Sequence, residues 1–187
     1  RSGARQRLKL VLAFGVAFVG LAVAGLSTHA QAQTLRWASQ GDASTMDPHA
    51  MNEGLTNMVN GQVYEGLIAR GKNLEFVPSL ATEWAQTGPT TWRFKLRSGV
   101  KFHDGSPFTA EDVVFSINRA KAPTSQINVY ANALGTPVAL DALTVEFRLD
   151  KVNPVFLQHL GLPIAMMSKA WSEKNKVTKP LDFKNRE

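Results

Sequence analysis

Apolar and polar residues alternate along residues 91–97, with Trp92, Phe94 and Leu96 on one side and Arg93, Lys95 and Arg97 on the other. A period of two predicts a half-buried strand. Ser98-Gly99 predicts a tight turn, after which Val100 and Phe102 resume the alternation as a short second strand. His103-Asp104-Gly105-Ser106-Pro107 is dense in turn formers, and Gly105 is free to take a positive φ. Thr109 is a good helix N-cap, and Asp112 three residues on completes an approximate capping box. Glu111 and Asp112 fall in the first turn and Arg119 and Lys121 at the end, matching the helix dipole. Val113 or Val114, Ile117 and Ala120 supply an apolar stripe, and Pro123 ends the helix. Residues 91–120 therefore predict strand, turn, short strand, turn and capped helix.

The same reading extends along the chain. Residues 35–38 predict a short strand and 41–48 a loop. Residues 52–64 predict a helix with Leu55, Met58, Val59 and Val63 on one apolar face. Residues 67–69 and 74–77 predict a hairpin around Gly71-Lys72-Asn73. Residues 121–140 read as a loop with one helical turn near 129–134. From 143 to 149, Leu143, Val145, Phe147 and Leu149 alternate with Thr144, Glu146 and Arg148, the cleanest strand pattern present. Asn153-Pro154 is an N-cap followed by a first-turn proline, opening a helix over 155–160 that Gly161 closes. Residues 174–187 are polar and read as loop. No repeat or low-complexity tract occurs.

Within LRSGVKFHDGSPFTAEDVVFSINRA stand Leu96, Arg97, Gly99, Val100, Phe102, Asp104, Gly105, Ala110, Asp112 and Val113. This segment closely resembles the signature of the family-5 solute-binding proteins of ABC importers, which bind oligopeptides, dipeptides and nickel. Tyr64-Glu65-Gly66-Leu67, Pro78-Ser79-Leu80-Ala81 with Trp84, Asp141 with Thr144-Val145, and Pro154 with Phe156-Leu157 resemble further motifs of that family. So does Thr45-Met46-Asp47-Pro48-His49, with Met46 in place of a usual leucine; the 86–91 turn is shorter than the family's. The resemblance spans 35–171.

The resemblance implies an α/β fold of the type II periplasmic binding protein kind, two lobes hinged around a cleft with an extra inserted domain. Residues 33–64 would start the first lobe and 65–187 would form most of the inserted domain, so this piece itself should look α+β. It also implies a periplasmic component that captures a peptide or similar small solute and delivers it to an inner-membrane permease, as a monomer without a cofactor. The alternatives are a binder of nickel chelate, haem, opine or oligosaccharide, and a sensor or enzyme that reuses the fold. By position in the family, Met51, Asn52, Glu53 and Gly54 would line the cleft and Tyr130 would approach the solute. Asn52 falls where an acidic residue often stands, and Glu53 is its substitute. A plain loop or packing role is the alternative for each.

The ends of the chain change the charge picture. Arg1, Arg5, Arg7 and Lys9 precede an uncharged apolar run, 10–26, and Ala30-Gln31-Ala32 follows. That order reads as a secretory signal peptide, 1–32, cleaved after Ala32; an uncleaved membrane anchor is the alternative. Four of the 21 basic residues and none of the 15 acidic ones lie there, leaving 17 against 15, a formal +2. The overall +6 is then partly a targeting feature, with no nucleic-acid footprint in the remainder. The absence of cysteine excludes a lipid anchor on cysteine, a disulfide framework and thiol chemistry. Family members are about three times as long, so the chain is expected to be an N-terminal piece that alone binds no solute tightly.

Catalytic motifs are sparse. The four histidines, His29, His49, His103 and His159, lack ligand-like spacing, which argues against a metal site. His103-Asp104 reads as a turn bonding its own backbone rather than an acid–base pair. Ser98 and Lys101 match a Ser-x-x-Lys pattern, but Gly99 places them in a turn and not on the helix that chemistry needs. Lys95, Arg97 and Lys101 read as a solvated strand face.

Overall fold

The computed structural model describes residues 38–161 and 164–183. The signal segment with Ala30 and Ala32, and all of the first expected strand except Ala38, lie outside the described residues. From Gln40 onward the chain forms one compact unit.

The alternating segment becomes the middle of a four-stranded antiparallel sheet, in the order β3 (Ala81–Gly88), β4 (Thr91–Leu96), β6 (Thr144–Arg148), β5 (Thr136–Asp141). Phe94 and Leu96 of β4 are buried while Arg93 and Lys95 are exposed, as the period of two requires. The register sets Phe94 against Val145 and Trp92 against Phe147. Phe94 and Phe147 meet edge to face at 5.5 Å, Phe147 meets Phe156 edge to face at 5.5 Å, and Trp92 stacks on Phe156 at 5.2 Å. Phe94, Phe147 and Phe156 are fully buried, and each contributes about 1.5–3 kcal/mol of apolar burial.

β3 and β4 are joined through Pro89-Thr90, with Gly88 paired to Thr91, so the shortened turn forms a tight hairpin. Glu146 faces the polar side of β6 yet is buried, because Arg93 at 2.8 Å and Arg148 at 3.0 Å cover its carboxylate.

Helix α2 (Ala110–Ala120) lies against β5 and β6 with Val113, Ile117 and Ala120 fully buried. Asp112 organises its start: one carboxylate oxygen accepts from the Thr109 N–H at 2.9 Å and hydroxyl at 3.0 Å, the other from the Lys169 N–H at 2.9 Å. The signature carboxylate thus caps α2 and tethers the start of α5 (Lys169–Lys174). The turns before α2 use positive φ at Gly99 (74°) and Gly105 (84°). α3 (Asn128–Asn132) and α4 (Phe156–Leu160) occupy the expected helical segments, and the Asn153 side chain accepts from the Val155 N–H at 3.1 Å.

Three local expectations are corrected. The short second strand at Val100–Phe102 is a single bridge, Lys101 to Pro107, because the turn returns too soon for a ladder. β5 stands where the sequence predicts a loop; Pro137 is tolerated because β5 is an edge strand. β1 (Ile68–Arg70) and β2 (Phe76–Pro78) form the expected hairpin, in which Leu74 takes positive φ (65°). There the Glu75 carboxylate accepts from the Asn73 N–H at 2.8 Å and Arg70 donates to the Leu74 carbonyl at 2.7 Å.

The third correction concerns α1 (Gly54–Asn60), shorter than the 52–64 expected. Its buried residues are Thr56 and Asn60, while Met58 and Val63 are 47% and 46% exposed. The Thr56 hydroxyl accepts from the Ser44 N–H at 3.1 Å, so a polar tether turns that face inward. Periodicity alone marks which residues share a face, not which face meets the protein.

Candidate functional site

Residues 46–54 run between the N-terminal loop and α1, and almost every group of this stretch is held from behind. Arg119 near the end of α2 reaches it. Its Nη1 donates to Asp47 Oδ1 at 2.8 Å and its Nη2 to Asp47 Oδ2 at 2.7 Å. Nη1 also donates to His49 Nδ1 at 3.1 Å, Nη2 to the Lys179 carbonyl at 3.1 Å, and Nε to the Val177 carbonyl at 3.0 Å. A guanidinium has five N–H donors, so all five are matched. The Arg119 side chain is 1% exposed and that of Asp47 16%.

His49 is completely buried. Since Arg119 can only donate, His49 Nδ1 must accept, and Nε2 carries the proton that it donates to the Ala165 carbonyl at 3.0 Å. Burial first, then the Arg119 charge, push the imidazole down to about 4, against the opposing pull of Ala165 and Asp47. For Asp47, burial raises the carboxyl. The Arg119 hydrogen bond and charge, with the N–H groups of Leu181 and His49, outweigh it and leave the carboxyl below its ordinary value. The cluster is therefore one carboxylate, one guanidinium and one neutral imidazole.

Further bonds complete the cradle. Tyr64 donates to the Met46 carbonyl at 2.9 Å, and Ser125 to the His49 carbonyl at 2.9 Å. The Asn52 N–H donates to Gln126 Oε1 at 3.2 Å, and Asn57 Nδ2 to Asn52 Oδ1 at 3.3 Å. Glu53 caps α1 with both carboxylate oxygens, accepting from the N–H groups of Leu55 and Thr56 at 2.8 Å each.

Of the residues expected to face solute, Asn52, Glu53 and Gly54 are exposed together and Met51 is half-buried beside them. Tyr130 is half-buried in α3 with its ring 6.1 Å from that of His159. Among the described residues, cavities border this stretch and its neighbours. One of about 570 Å³ is lined by Tyr64, Glu65, Val100, Phe102, Phe108 and Trp171. Another of about 270 Å³ is lined by Pro48, Asn60, Tyr64, Gly66 and Ile164 among others. The His103-Asp104 turn behaves as expected, Asp104 accepting from the Ser106 N–H at 2.9 Å and hydroxyl at 2.6 Å. Arg97 donates twice to the Ser79 carbonyl, at 3.1 and 2.7 Å, and Lys95 pairs with Glu83 at 3.3 Å.

Sequence reasoning did not single out Arg119, Asp47 and His49 as a cluster. By local order Arg119 matches a helix dipole and Asp47 a loop motif. The one available signal was that a His and an Asp stand in a short turn with a proline between them, which says nothing about a partner 72 residues away.

Residues 75–184 match the model of the bacterial extracellular solute-binding proteins, family 5, middle region. The chain belongs to this family. It is 31% identical over 166 residues to the glutathione-binding protein GsiB of Escherichia coli (strain 536), an alignment covering 86% of this chain and 32% of that protein. The E. coli murein tripeptide binding protein MppA superposes with a TM-score of 0.64 at 27% identity, over 71% of this chain and 30% of that one. NikZ from Campylobacter jejuni, solved with Ni(L-His), superposes at 0.63 and 28% identity, over 74% and 28%. These neighbours are type II periplasmic binding proteins, and the described residues show the mixed helix and sheet of the matching part. The chain spans about a third of the length of GsiB.

Proposed function

We propose that this chain is part of the periplasmic substrate-binding component of an ABC importer, capturing a peptide or peptide-like solute and passing it to an inner-membrane permease. The family match over 75–184 carries this reading. The relatives' names supply the solute class: glutathione for GsiB and murein tripeptide for MppA. In this reading residues 33–64 begin one lobe, 65–187 form most of an inserted domain, and residues 51–54 form part of the cleft wall. Solute that bridges two lobes favours the closed form by its differential affinity for it, and the closed form docks on the permease. Binding rather than catalysis is the activity.

The test is titration of the periplasmic protein, followed by tryptophan fluorescence and calorimetry, with glutathione, di- and tripeptides, nickel–histidine and oligosaccharides as separate arms. Saturable binding of a peptide or glutathione is expected. Response to nickel–histidine or sugar alone would replace the solute class, and turnover of any of these compounds would overturn the binding-protein reading.

A further inference from the structure

We infer that Arg119 is a positioning residue for solute binding: from behind the loop, through Asp47 and His49, it sets the shape in which residues 51–54 are presented. This rests on the proposal that these residues face the solute. The argument is geometric. Arg119 belongs to α2, whose Val113, Ile117 and Ala120 are locked onto the sheet, so its guanidinium is held by a rigid element. Five donors meet five acceptors on two separate segments: Asp47 and His49 in the loop, Val177 and Lys179 in the C-terminal strap.

The strap closes the arrangement, since the Leu181 N–H donates to Asp47 Oδ2 at 3.0 Å and Thr124 donates to the Pro180 carbonyl at 3.0 Å. From Asp47 the order passes forward: Oδ1 accepts from the His49 N–H at 3.1 Å, the His49 carbonyl accepts from Ser125, and Asn52 is bonded to Gln126 two residues before α3. The exposed residues 52–54 thus extend from a stretch whose backbone is bonded on its inner side. A loop shaped before solute arrives avoids its ordering cost on binding, which is how a residue without solute contact affects affinity.

Lysine cannot replace this arginine, because one ammonium has three donors and no planar fork. The experiment compares wild type with Arg119→Lys, with His49→Gln as a milder second variant that keeps one side-chain donor, and with Lys95→Ala as a surface control. Amide hydrogen exchange is read at His49, Ala50 and Asn52 and at Phe94, Val145 and Phe147, and solute affinity is read in parallel. In Arg119→Lys, loop protection is expected to fall about tenfold or more beyond any loss shared with the sheet, with affinity lowered about tenfold. His49→Gln is expected to shift the same loop amides by less, and Lys95→Ala none of them.

Unchanged loop exchange in both variants would overturn the inference. Equal loss in loop and sheet would also do so, because it would make Arg119 a general stability residue. A loosened loop with unchanged affinity would remove the link to binding. Should the wild type bind none of the titrated solutes, the functional proposal fails, whereas the exchange arm still decides whether Arg119 shapes the loop.

Discussion

Arg119 and Asp47, 72 residues apart in the chain, meet in a two-pronged ion pair at 2.8 and 2.7 Å, away from solvent. Two charges taken out of water stabilise a fold only when every donor and lone pair finds a partner. Here the guanidinium is fully matched, and removing its charge partner leaves a cation stranded. Asp47→Asn is expected to destabilise the protein by about 3–5 kcal/mol, read as a lower urea midpoint with unchanged slope. A loss below about 1 kcal/mol would mean the pair is solvated.

The neutral state of His49 has a pH signature. The unfolded chain takes up its proton near 6.5, whereas the folded chain resists until about 4. Between those values the unfolded state binds more protons, so stability falls as pH drops through this window, by about 3 kcal/mol at the limit. Asp47 acts at lower pH. Its stabilisation is complete above the ordinary carboxylate value of 3.8 and is lost as pH falls through its lower folded-state value. Urea titrations at about pH 7 and about pH 4.5 should show His49→Asn losing less stability than wild type over that interval. Superimposable losses would contradict a buried neutral imidazole.

Two kinds of turn glycine separate by what surrounds them. Gly135 has φ 65°, and a Cβ there would run into the Arg148 carbonyl and the Leu149 Cα. Gly99 has φ 74° with nothing within 4 Å of a Cβ. Gly135→Ala is expected to cost about 3 kcal/mol, from left-handed strain plus overpacking, and Gly99→Ala about 1 kcal/mol from strain alone. Thermal melts of the two variants check the ordering; equal losses would refute the steric argument.

Glu53, proposed above as part of the cleft wall, also caps α1. Its position invites assignment as an acidic group for the solute, yet both oxygens are bonded to α1 amides. Glu53→Ala is therefore expected to speed exchange of the Leu55 and Thr56 amides, with Glu53→Gln intermediate because it keeps one acceptor oxygen. Protection that is indifferent to both changes would remove the cap.

Elements defined by neighbours in sequence were readable in advance. β4 and β6 declare themselves through alternation, α2 through Thr109, Asp112 and its apolar stripe, and the turn before it through Gly105. Each rests on contacts within a few residues or on one face repeating at a fixed period, and both are written into local order. β5 was hidden because an edge strand containing Pro137 carries no such alternation, and its partner supplies the ladder.

The inward turn of Thr56 and Asn60, and the meeting of Asp47, His49 and Arg119 with the strap at 177–181, belong to the tertiary structure alone. Whether a short amphipathic helix buries its polar or apolar side depends on what stands opposite. Whether a buried charge is tolerable depends on partners delivered from distant segments. Spacing along a chain contains neither fact, since both arise only when the segments have packed and water has left the space between them.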